Sequence, residues 1–260
     1  MNSALADTAA RDLTRALRRL ALVAPHGSFS ESSPGLAVLR SGSAVPTLNG
    51  VVSWVPAPDP STVGMLAGEA AAAGPPWSIQ LRRAPSPLVL GVASGHGLAR
   101  DRTLDLLGLP DLDAHGAEPA ARAGFRVRPV QARHGRSRRA WAGALSRGFG
   151  MPPAAFGDLC SRAVLDDEHF TAYLGEEGEL PVATGFSALE DGALGIFGVS
   201  THPAHRGRGA GRAVLARILF DGYARGASRA YLQAPAETAR HYSDFGFERL
   251  ESWSYLVAAR

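Results

Sequence analysis

The sequence contains no lysine and has a single cysteine, Cys160, among its 260 residues. One cysteine excludes an internal disulfide framework and fits a reducing compartment, so we expect a cytoplasmic protein. Cys160 lies in a segment with apolar periodicity, where a buried thiol is more usual than a nucleophile. No apolar run approaches the roughly 18 residues of a membrane-spanning helix, so no membrane partner is expected. The N-terminus also lacks a secretory pattern.

All 27 basic residues are therefore arginine, yet the formal net charge is only +3. The basic character reflects arginine without lysine rather than a large excess of charge, so nucleic acid is not predicted as a partner. No group of His, Cys, Asp and Glu residues has metal-ligand spacing, and no metal site is expected. The run of basic residues 133–139 is interpreted as a solvated surface, with attraction of an acidic ligand as the alternative.

Residues 111–123 have no apolar period and are rich in Ala, Asp, Glu, Gly and Pro, which predicts a linker between domains 1–110 and 124–260. In the first part, residues 25–34 break the pattern, and residues 87–94 are ambiguous between helix and strand. Asp59 or Ser61 is the expected cap of a helix that runs to Ala73. The other predicted elements of this part are a helix over 4–22 and strands over 36–39, 51–55, 77–81 and 103–107.

The second part has alternating strand patterns and helical patterns in a definite order. Helices are predicted over 138–149, 154–164 and 213–223, and strands over 125–130, 170–174, 182–189, 194–200 and 229–234.

The most informative stretch is Arg206-Gly207-Arg208-Gly209-Ala210-Gly211-Arg212, which lies between the apolar run 194–199 and the helical stretch 213–223. A strand, a glycine-rich turn and a helix together present bare backbone N–H groups to a phosphate, and the helix N-terminus adds positive potential. The loop lacks the Lys-Ser/Thr ending of a nucleotide-triphosphate loop and the glycine spacing of a dinucleotide fingerprint.

This loop resembles the R-x-x-G-x-G/A pyrophosphate loop of the GNAT superfamily of N-acyltransferases. Upstream, Val199-Ser200-Thr201-His202-Pro203 resembles the end of the fourth strand of that family. Downstream, residues 229–234 resemble its fifth strand, and Tyr242-Ser243-Asp244-Phe245-Gly246-Phe247 is similar to its Tyr-x-x-x-Gly-Phe signature.

The resemblance implies an α/β fold with a mixed sheet, the GNAT fold, over residues 124–260. Residues 1–110 repeat the same order more weakly, which predicts two tandem GNAT-like domains with a degenerate N-terminal one, as in the layout of mycothiol synthases. Residues 56–60, with three prolines, replace the glycine-rich loop there, and proline has no N–H to offer a phosphate. The alternative is an unrelated substrate-binding or dimerising domain.

The resemblance also implies acetyl-CoA, or another acyl-CoA, as co-substrate. The backbone of Val199, Ser200 and Thr201 would pair with the pantetheine arm and donate an N–H to the thioester oxygen. The family pattern further assigns the pyrophosphate to the amides of Arg206, Gly207, Arg208, Gly209, Ala210 and Gly211. Arg208 and Arg212 would reach the phosphates at the adenosine end.

Tyr242 occupies the family's tyrosine position, where a phenol would protonate the departing thiolate. Thr238 stands at the position of an asparagine that helps to align CoA. The segment between Gln233 and Tyr242 looks about three residues shorter than the family spacing implies. The general base is not determined among Glu190, Asp191, His202, His241, water and the acceptor itself.

We therefore expect a transferase that moves an acyl group to a primary amine by direct transfer in a ternary complex. The acceptor is expected to be a small molecule or peptide, and the chain a monomer or homodimer. The alternative is a non-catalytic CoA-binding sensor or binding module, and a third possibility is an arginine-dependent nucleic-acid protein. The absence of lysine is interpreted as codon bias, the alternative being protection of an amine-acylating enzyme from itself.

Overall fold

The computed structural model describes residues 3–74, 76–120 and 123–258 of the chain. The chain divides into compact units, one of Met1–Leu107 with Gln233–Arg260 and the other of Gly108–Leu232. Its helices and strands are, in chain order, α1 (Ser3–Val23), β1 (Ser28–Ser33), β2 (Leu36–Arg40), β3 (Gly50–Ser53), α2 (Pro60–Ala72), β4 (Ser78–Arg82), α3 (Pro87–Gly95), β5 (Leu98–Leu109), β6 (Phe125–Pro129), α4 (Gly135–Phe149), α5 (Arg162–Leu165), β7 (Phe170–Glu177), β8 (Leu180–Glu190), β9 (Ala193–Thr201), α6 (Ala210–Ala224), β10 (Arg229–Ala234), α7 (Ala236–Ser243) and β11 (Glu248–Ala258).

The first unit is built on strands in the order β1-β2-β3-β4-β11-β5. β2 is antiparallel to β1 and to β3, β4 is parallel to β3, and β11 is antiparallel to β4. The parallel step needs a crossover, and α2 supplies it between β3 and β4. Helices α2 and α3 pack on this sheet through a buried apolar core, formed by Leu36, Val38, Val51, Val63, Leu66, Ala67, Ala70, Trp77, Ile79, Leu81, Val89, Ala93, Leu98 and Leu256.

The predicted N-terminal helix is present as α1, and its buried side chains recur at helical spacing, as the periodicity requires. The ambiguous stretch 87–94 is helical, with the Ser86 hydroxyl accepting the Val89 N–H at the start of α3. Residues 25–34, which break the helical pattern, contain a strand that the sequence did not predict, because β1 pairs along β2 there. Sequence reasoning missed this strand because it is an edge strand of mostly polar residues, without apolar alternation.

The second unit has strands in the order β10-β9-β8-β7-β6. β6 to β9 are successively antiparallel, and β10 is parallel to β9 with α6 as the crossover. A Cβ on Gly185 of β8 would meet Val214 and Ile218, which places α6 against one face of the sheet. A Cβ on Gly148 of α4 would meet Ser200, so α4 packs on the opposite face.

The helix predicted over residues 154–164 is wrong in its form. A 3-10 turn occupies Pro153–Cys160, and the short α5 follows it. Gly157 interrupts the helical geometry with φ 42° and ψ −123°, a conformation that a residue with a side chain rarely adopts.

The two units repeat one topology. Three antiparallel strands, a helix and a parallel strand follow one another as β1-β2-β3-α2-β4 in the first unit and as β7-β8-β9-α6-β10 in the second. The mixed α/β class expected from the sequence is confirmed. The domain limits of 1–110, 111–123 and 124–260 stay a prediction, and the compact units differ from them because residues 233–260 belong to the first unit, where β11 pairs along β4.

A buried ion pair holds β11 against β4 within the first unit. Arg82 Nε donates to Glu251 Oε1 at 2.6 Å, and both side chains are only 3% exposed. The Arg82 Nη2 atom lies 2.6 Å from Asp7 Oδ1, which brings α1 into the same network. Trp253 Nε1 donates to Glu251 Oε1 at 3.0 Å. Removing one partner of such a pair leaves an uncompensated charge in the protein interior.

We expect Arg82→Met to lower the free energy of unfolding by about 3–5 kcal/mol, the usual cost of stranding one charge of a buried pair. Arg83→Met is the matched control, because Arg83 lies 3.7 Å from Glu251 Oε2 but is 52% exposed. That substitution should change stability by less than about 1 kcal/mol. Urea unfolding followed by circular dichroism measures both, and equal losses in the two variants would contradict the assignment.

Candidate functional site

Strand β9 leaves one of its edges unpaired over its second half. Its pairing with β10 runs only from Ala193 to Ile196, where Ile196 faces Leu232. On the other edge, β8 accompanies β9 as far as Thr201. Within the described residues, no strand pairs with residues 197–201 on the β10 side. An exposed strand edge of this kind can take up an extended chain by backbone hydrogen bonds.

A β-bulge lies at the start of this free edge. Phe186 faces Phe197 and Thr184 faces Ser200, so Gly198 and Val199 together oppose a single residue of β8. Gly198 has φ 58°, in the left-handed region where glycine carries no Cβ penalty. Such bulges re-aim the backbone groups of a strand and commonly occur next to functional sites.

The backbone N–H groups after the bulge alternate between the two edges of β9. His202 N–H donates to Val182 O at 2.8 Å, which fixes the phase of the ladder with β8. Ser200, two residues earlier, therefore directs its N–H to β8, whereas Thr201 directs its N–H to the free edge. Within the bulge, the Thr184 hydroxyl of β8 donates to Gly198 O, and because the C=O and N–H of one peptide point in opposite directions, Val199 N–H also points to the free edge. The free edge thus carries donors at the spacing that an added strand requires.

The glycine-rich loop continues directly from this edge. A turn over Pro203–His205 ends β9, and the loop then enters α6 at Ala210. Gly207 and Gly209 have φ of 74° and 79°, in the left-handed region that favours glycine. Arg206 anchors the loop, since its Nε donates to Thr201 O at 3.2 Å and its Nη2 to Gly148 O at 3.1 Å.

The loop and the first turn of α6 form a group of N–H donors. Ala213 N–H donates to Gly209 O, as the first turn of a helix requires. In the described parts of the chain, no acceptor faces the N–H groups of Gly207, Gly209, Ala210 or Gly211. The left-handed Gly209 followed by a right-handed helical residue forms the concave arrangement of N–H groups that binds anions. The helix dipole adds roughly half a positive charge at the same place.

The side chains around the loop add positive charge and close packing. Arg208 and Arg212 are exposed, and both lie next to the N–H groups in the chain. A Cβ on Gly211 would lie 3.3 Å from Thr201 Oγ1 and 3.9 Å from Val199 Cγ1, so the first turn of α6 packs directly on the end of β9. The predicted residues Val199–Arg212 therefore come together as one surface of the second unit, with donors and cations suited to a phosphate ester.

Tyr242 and Thr238, the other predicted site residues, lie on α7, which belongs to the first unit. The Thr238 hydroxyl donates to Pro235 O at 2.9 Å, within the start of its own helix. Tyr242 is half-buried, with its ring 6.1 Å from that of Phe247 in an edge-to-face arrangement. Burial raises the pKa of the Tyr242 phenol above the ordinary tyrosine value, so the group stays protonated at neutral pH.

The candidate bases occupy different places. Glu190 ends β8 and Asp191 begins the turn that precedes Ala193, which lies about 17 Å along β9 from the bulge at 3.3 Å per residue. His202 Nδ1 accepts the Ala204 N–H at 3.2 Å and so caps the following turn. His241 lies exposed on α7. Of the candidate bases in the second unit, Glu190 and Asp191 therefore lie away from the free edge of β9, and His202 has its Nδ1 atom already engaged as an acceptor.

The corresponding helix end in the first unit is occupied by the protein itself. Asp59 Oδ2 accepts both the N–H and the hydroxyl of Thr62 at 2.8 Å, and Pro60 begins α2. The Thr62 hydrogen bonds hold the pKa of the Asp59 carboxyl below its ordinary value. A fixed carboxylate and a missing N–H exclude an incoming phosphate, so the predicted loss of the cradle in this half has a direct physical cause.

Sequence reasoning missed polar side chains that support the site. The Thr184 hydroxyl is fully buried on β8 and contacts Gly198 O and Ser200 Oγ. His205 Nδ1 lies 2.8 Å from Glu177 Oε2 and ties the turn after β9 to β7. Neither contact has a sequence signature, because the partners are 14 or more residues apart.

The described residues contain no group of three or more His, Cys, Asp and Glu side chains that could hold a metal ion. They also contain no helix long and apolar enough to span a membrane.

Cys160 does not have the properties of a nucleophile. Burial raises the pKa of its thiol to about 12, so less than about one part in a thousand is thiolate at pH 8. We expect the folded protein to react with iodoacetamide on the order of a thousandfold more slowly than the urea-unfolded chain, whose thiol has a pKa near 8.5. Mass spectrometry of timed samples measures the rates, and similar rates in the two states would refute the burial of this thiol.

The comparisons with known proteins agree with this geometry. Residues 166–249 match the family model described as the acetyltransferase (GNAT) domain. A GCN5-related N-acetyltransferase from Kribbella flavida is similar over 98% of this chain and 96% of its own, with a TM-score of 0.68 and 22% identity. A GCN5-related N-acetyltransferase-like protein from Streptococcus suis covers 96% of this chain and 98% of its own, with a TM-score of 0.60 and 13% identity. No curated protein matches the sequence.

Because these identities are low, the solved structures establish the fold alone. The similarity extends over both halves of the chain. The matched residues include β9, the glycine-rich loop and α6, which carry the surface described above. The predicted GNAT fold is therefore confirmed.

Proposed function

From the premise that this chain contains a GNAT acetyltransferase domain, we propose that it is an acyl-CoA-dependent N-acyltransferase that uses acetyl-CoA. It moves the acyl group to a primary amine of a small molecule or peptide, by direct transfer in a ternary complex. The observation that carries the proposal is the continuity of two features. The free edge of β9 over residues 197–201 leads directly into the N–H groups of residues 207–211.

The two features match the two chemically distinct parts of CoA. The pyrophosphate is an anion and suits the N–H groups at the start of α6, with Arg208 and Arg212 as counter-charges. The pantetheine arm contains two amide groups in an extended chain, and it suits the free edge of β9, where Thr201 directs its N–H. Arg206 holds the loop to the strand through Thr201 O rather than binding phosphate with its side chain.

Acyl transfer requires a polarised carbonyl. When the amine nitrogen attacks the thioester carbon, the C–N bond forms, the C–S bond breaks, and negative charge develops on the carbonyl oxygen. Val199 N–H, directed to the free edge at the bulge, is the donor that we assign to this oxygen.

The departing thiolate needs a proton, and we assign its transfer to Tyr242. The raised pKa of this phenol keeps the proton available at neutral pH. The amine loses its own proton to water or a second amine molecule, because Glu190 and Asp191 lie at the far end of β9 and His202 Nδ1 is engaged with Ala204 N–H.

A chain with one competent loop should hold one CoA, since Asp59 occupies the equivalent helix end of the first unit.

We expect native mass spectrometry to detect one acetyl-CoA per wild-type chain and none on Gly209→Glu. A glutamate there places a side chain and a negative charge where the phosphate binds. Gly226→Glu is the matched control. It lies just beyond the C-terminal end of the same helix, has φ 88° and has open space around its Cα, so it introduces the same charge and a similar strain.

The control should bind acetyl-CoA as the wild type does. Normal binding by Gly209→Glu would show that the pyrophosphate lies elsewhere. Two molecules per wild-type chain would show that the first unit also binds acetyl-CoA.

We expect Tyr242→Phe to lower kcat about a hundredfold or more while the Kd for acetyl-CoA changes little, because the hydroxyl acts only on the leaving group. Transfer to a panel of primary amines is measured by release of the CoA thiol. Because burial raises the pKa of Tyr242, the wild-type rate should fall only above pH 10 on account of this group. Tyr223→Phe, at an exposed tyrosine of α6, is the control.

Unchanged kcat in Tyr242→Phe would exclude the phenol as the acid. Tight binding of acetyl-CoA without transfer to any amine in the panel would favour a CoA-binding sensor instead.

A further inference from the structure

The bulge that positions Val199 is held by a hydroxyl group on the neighbouring strand. Thr184 of β8 is fully buried, with 0% of its surface exposed. Its Oγ1 donates to Gly198 O at 2.9 Å. Ser200 Oγ lies 2.8 Å from Thr184 Oγ1. A hydroxyl has one proton to donate, so Ser200 must donate to Thr184, and Thr184 must direct its proton to Gly198.

The hydrogen bond from Thr184 to Gly198 O fixes the direction of the Val199 N–H as well as that of the carbonyl. Gly198 C=O and Val199 N–H belong to the same peptide unit, which is planar and trans, so the two bonds point in opposite directions. A carbonyl held towards Thr184 therefore requires an N–H that points away from β8, to the free edge of β9. Gly198 has no Cβ and could rotate this peptide easily without an external constraint.

The constraint is not supplied by the regular ladder. Ladder pairing resumes only at Ser200, where Thr184 and Ser200 face each other, and it stops on the other side at Phe197. The peptide between Gly198 and Val199 is therefore the one that the ladder leaves out. A side chain takes the place of the missing backbone partner, which accounts for a buried polar group in this position.

We propose that Thr184 is a positioning residue, which orients Val199 N–H towards the carbonyl oxygen of the bound thioester. The inference rests on the proposed function and identifies the residue that sets its oxyanion donor. Thr184 itself is buried beneath the strand and does not touch the substrate.

A purely structural role would leave the carbonyl of bound acetyl-CoA unaffected, and this gives the test. Acetyl-CoA labelled with ¹³C at the acetyl carbonyl is bound to the protein, and its C=O stretch is measured by infrared difference spectroscopy. A hydrogen bond from Val199 lowers the frequency of this stretch relative to the free ligand. The measurement needs no acceptor amine and reports the donor directly.

We expect Thr184→Val, which preserves side-chain shape but removes the hydroxyl, to lose most of this shift. The Kd for acetyl-CoA should stay within about threefold of the wild type, because the loop and the other N–H groups are unchanged. Thr184→Ser keeps the donor and should retain the shift. Ser187→Ala is the matched control, since it removes a buried hydroxyl from the same strand that contacts Tyr173 rather than the bulge.

A shift that persists in Thr184→Val would overturn the inference while leaving the proposed function intact. Loss of the shift in Thr184→Ser or Ser187→Ala would overturn it too, since packing rather than the donor would then matter. A more than tenfold loss of acetyl-CoA affinity in Thr184→Val would assign the residue to binding instead of positioning.

If circular dichroism shows that Thr184→Val does not fold, Thr184→Ala takes its place with the same expectation. Failure of the wild type to bind acetyl-CoA at all would refute the proposed function and the inference together, and is thereby distinguished from the other outcomes.

Discussion

The separation of β10 from β9 after Ile196 is the constraint on which the candidate site depends. Up to that residue the two strands pair by backbone hydrogen bonds, and beyond it one edge of β9 has backbone donors that no strand of the described residues pairs with. The bulge at Gly198 and the loop at residues 206–209 follow within a few residues of this point. One continuous segment thus contains the free edge of β9, the peptide that the bulge turns and the N-terminus of α6. The binding of acyl-CoA that we propose needs little else from the second unit.

The two halves show how the same topology can keep or lose an anion site. In both, a helix follows the third antiparallel strand and precedes a parallel one. Gly209 in the left-handed conformation leaves the first N–H groups of α6 without a protein acceptor, whereas Asp59 caps α2 with its own carboxylate. Capping stabilises a helix, so the first unit gains stability at the position where we propose that the second unit binds a phosphate.

The sequence was sufficient for the parts of the site that depend on local chemistry. The loop is visible because glycines with positive φ and a following apolar helix are local requirements, and the residues 229–234 form a strand with the predicted bounds. The bulge was not predictable, because Gly198 adopts its φ only through the register between β8 and β9. Thr184 was missed for the same reason. Residues 233–260 belong to the first unit because β11 pairs with β4, and this contact joins residues some 170 positions apart in the sequence.

The placement of β11 has a consequence for how the chain is made. The first unit is made of two segments of the chain, with Gly108–Leu232 inserted between them. During synthesis β4 therefore emerges long before its partner β11. Until then the edge of β4 is unpaired and Arg82 lacks its carboxylate from Glu251. Domains usually fold in their order of translation, but this unit can close only after the inserted segment and β11 have been made, and the open edge of β4 must be kept from pairing with other chains in the meantime.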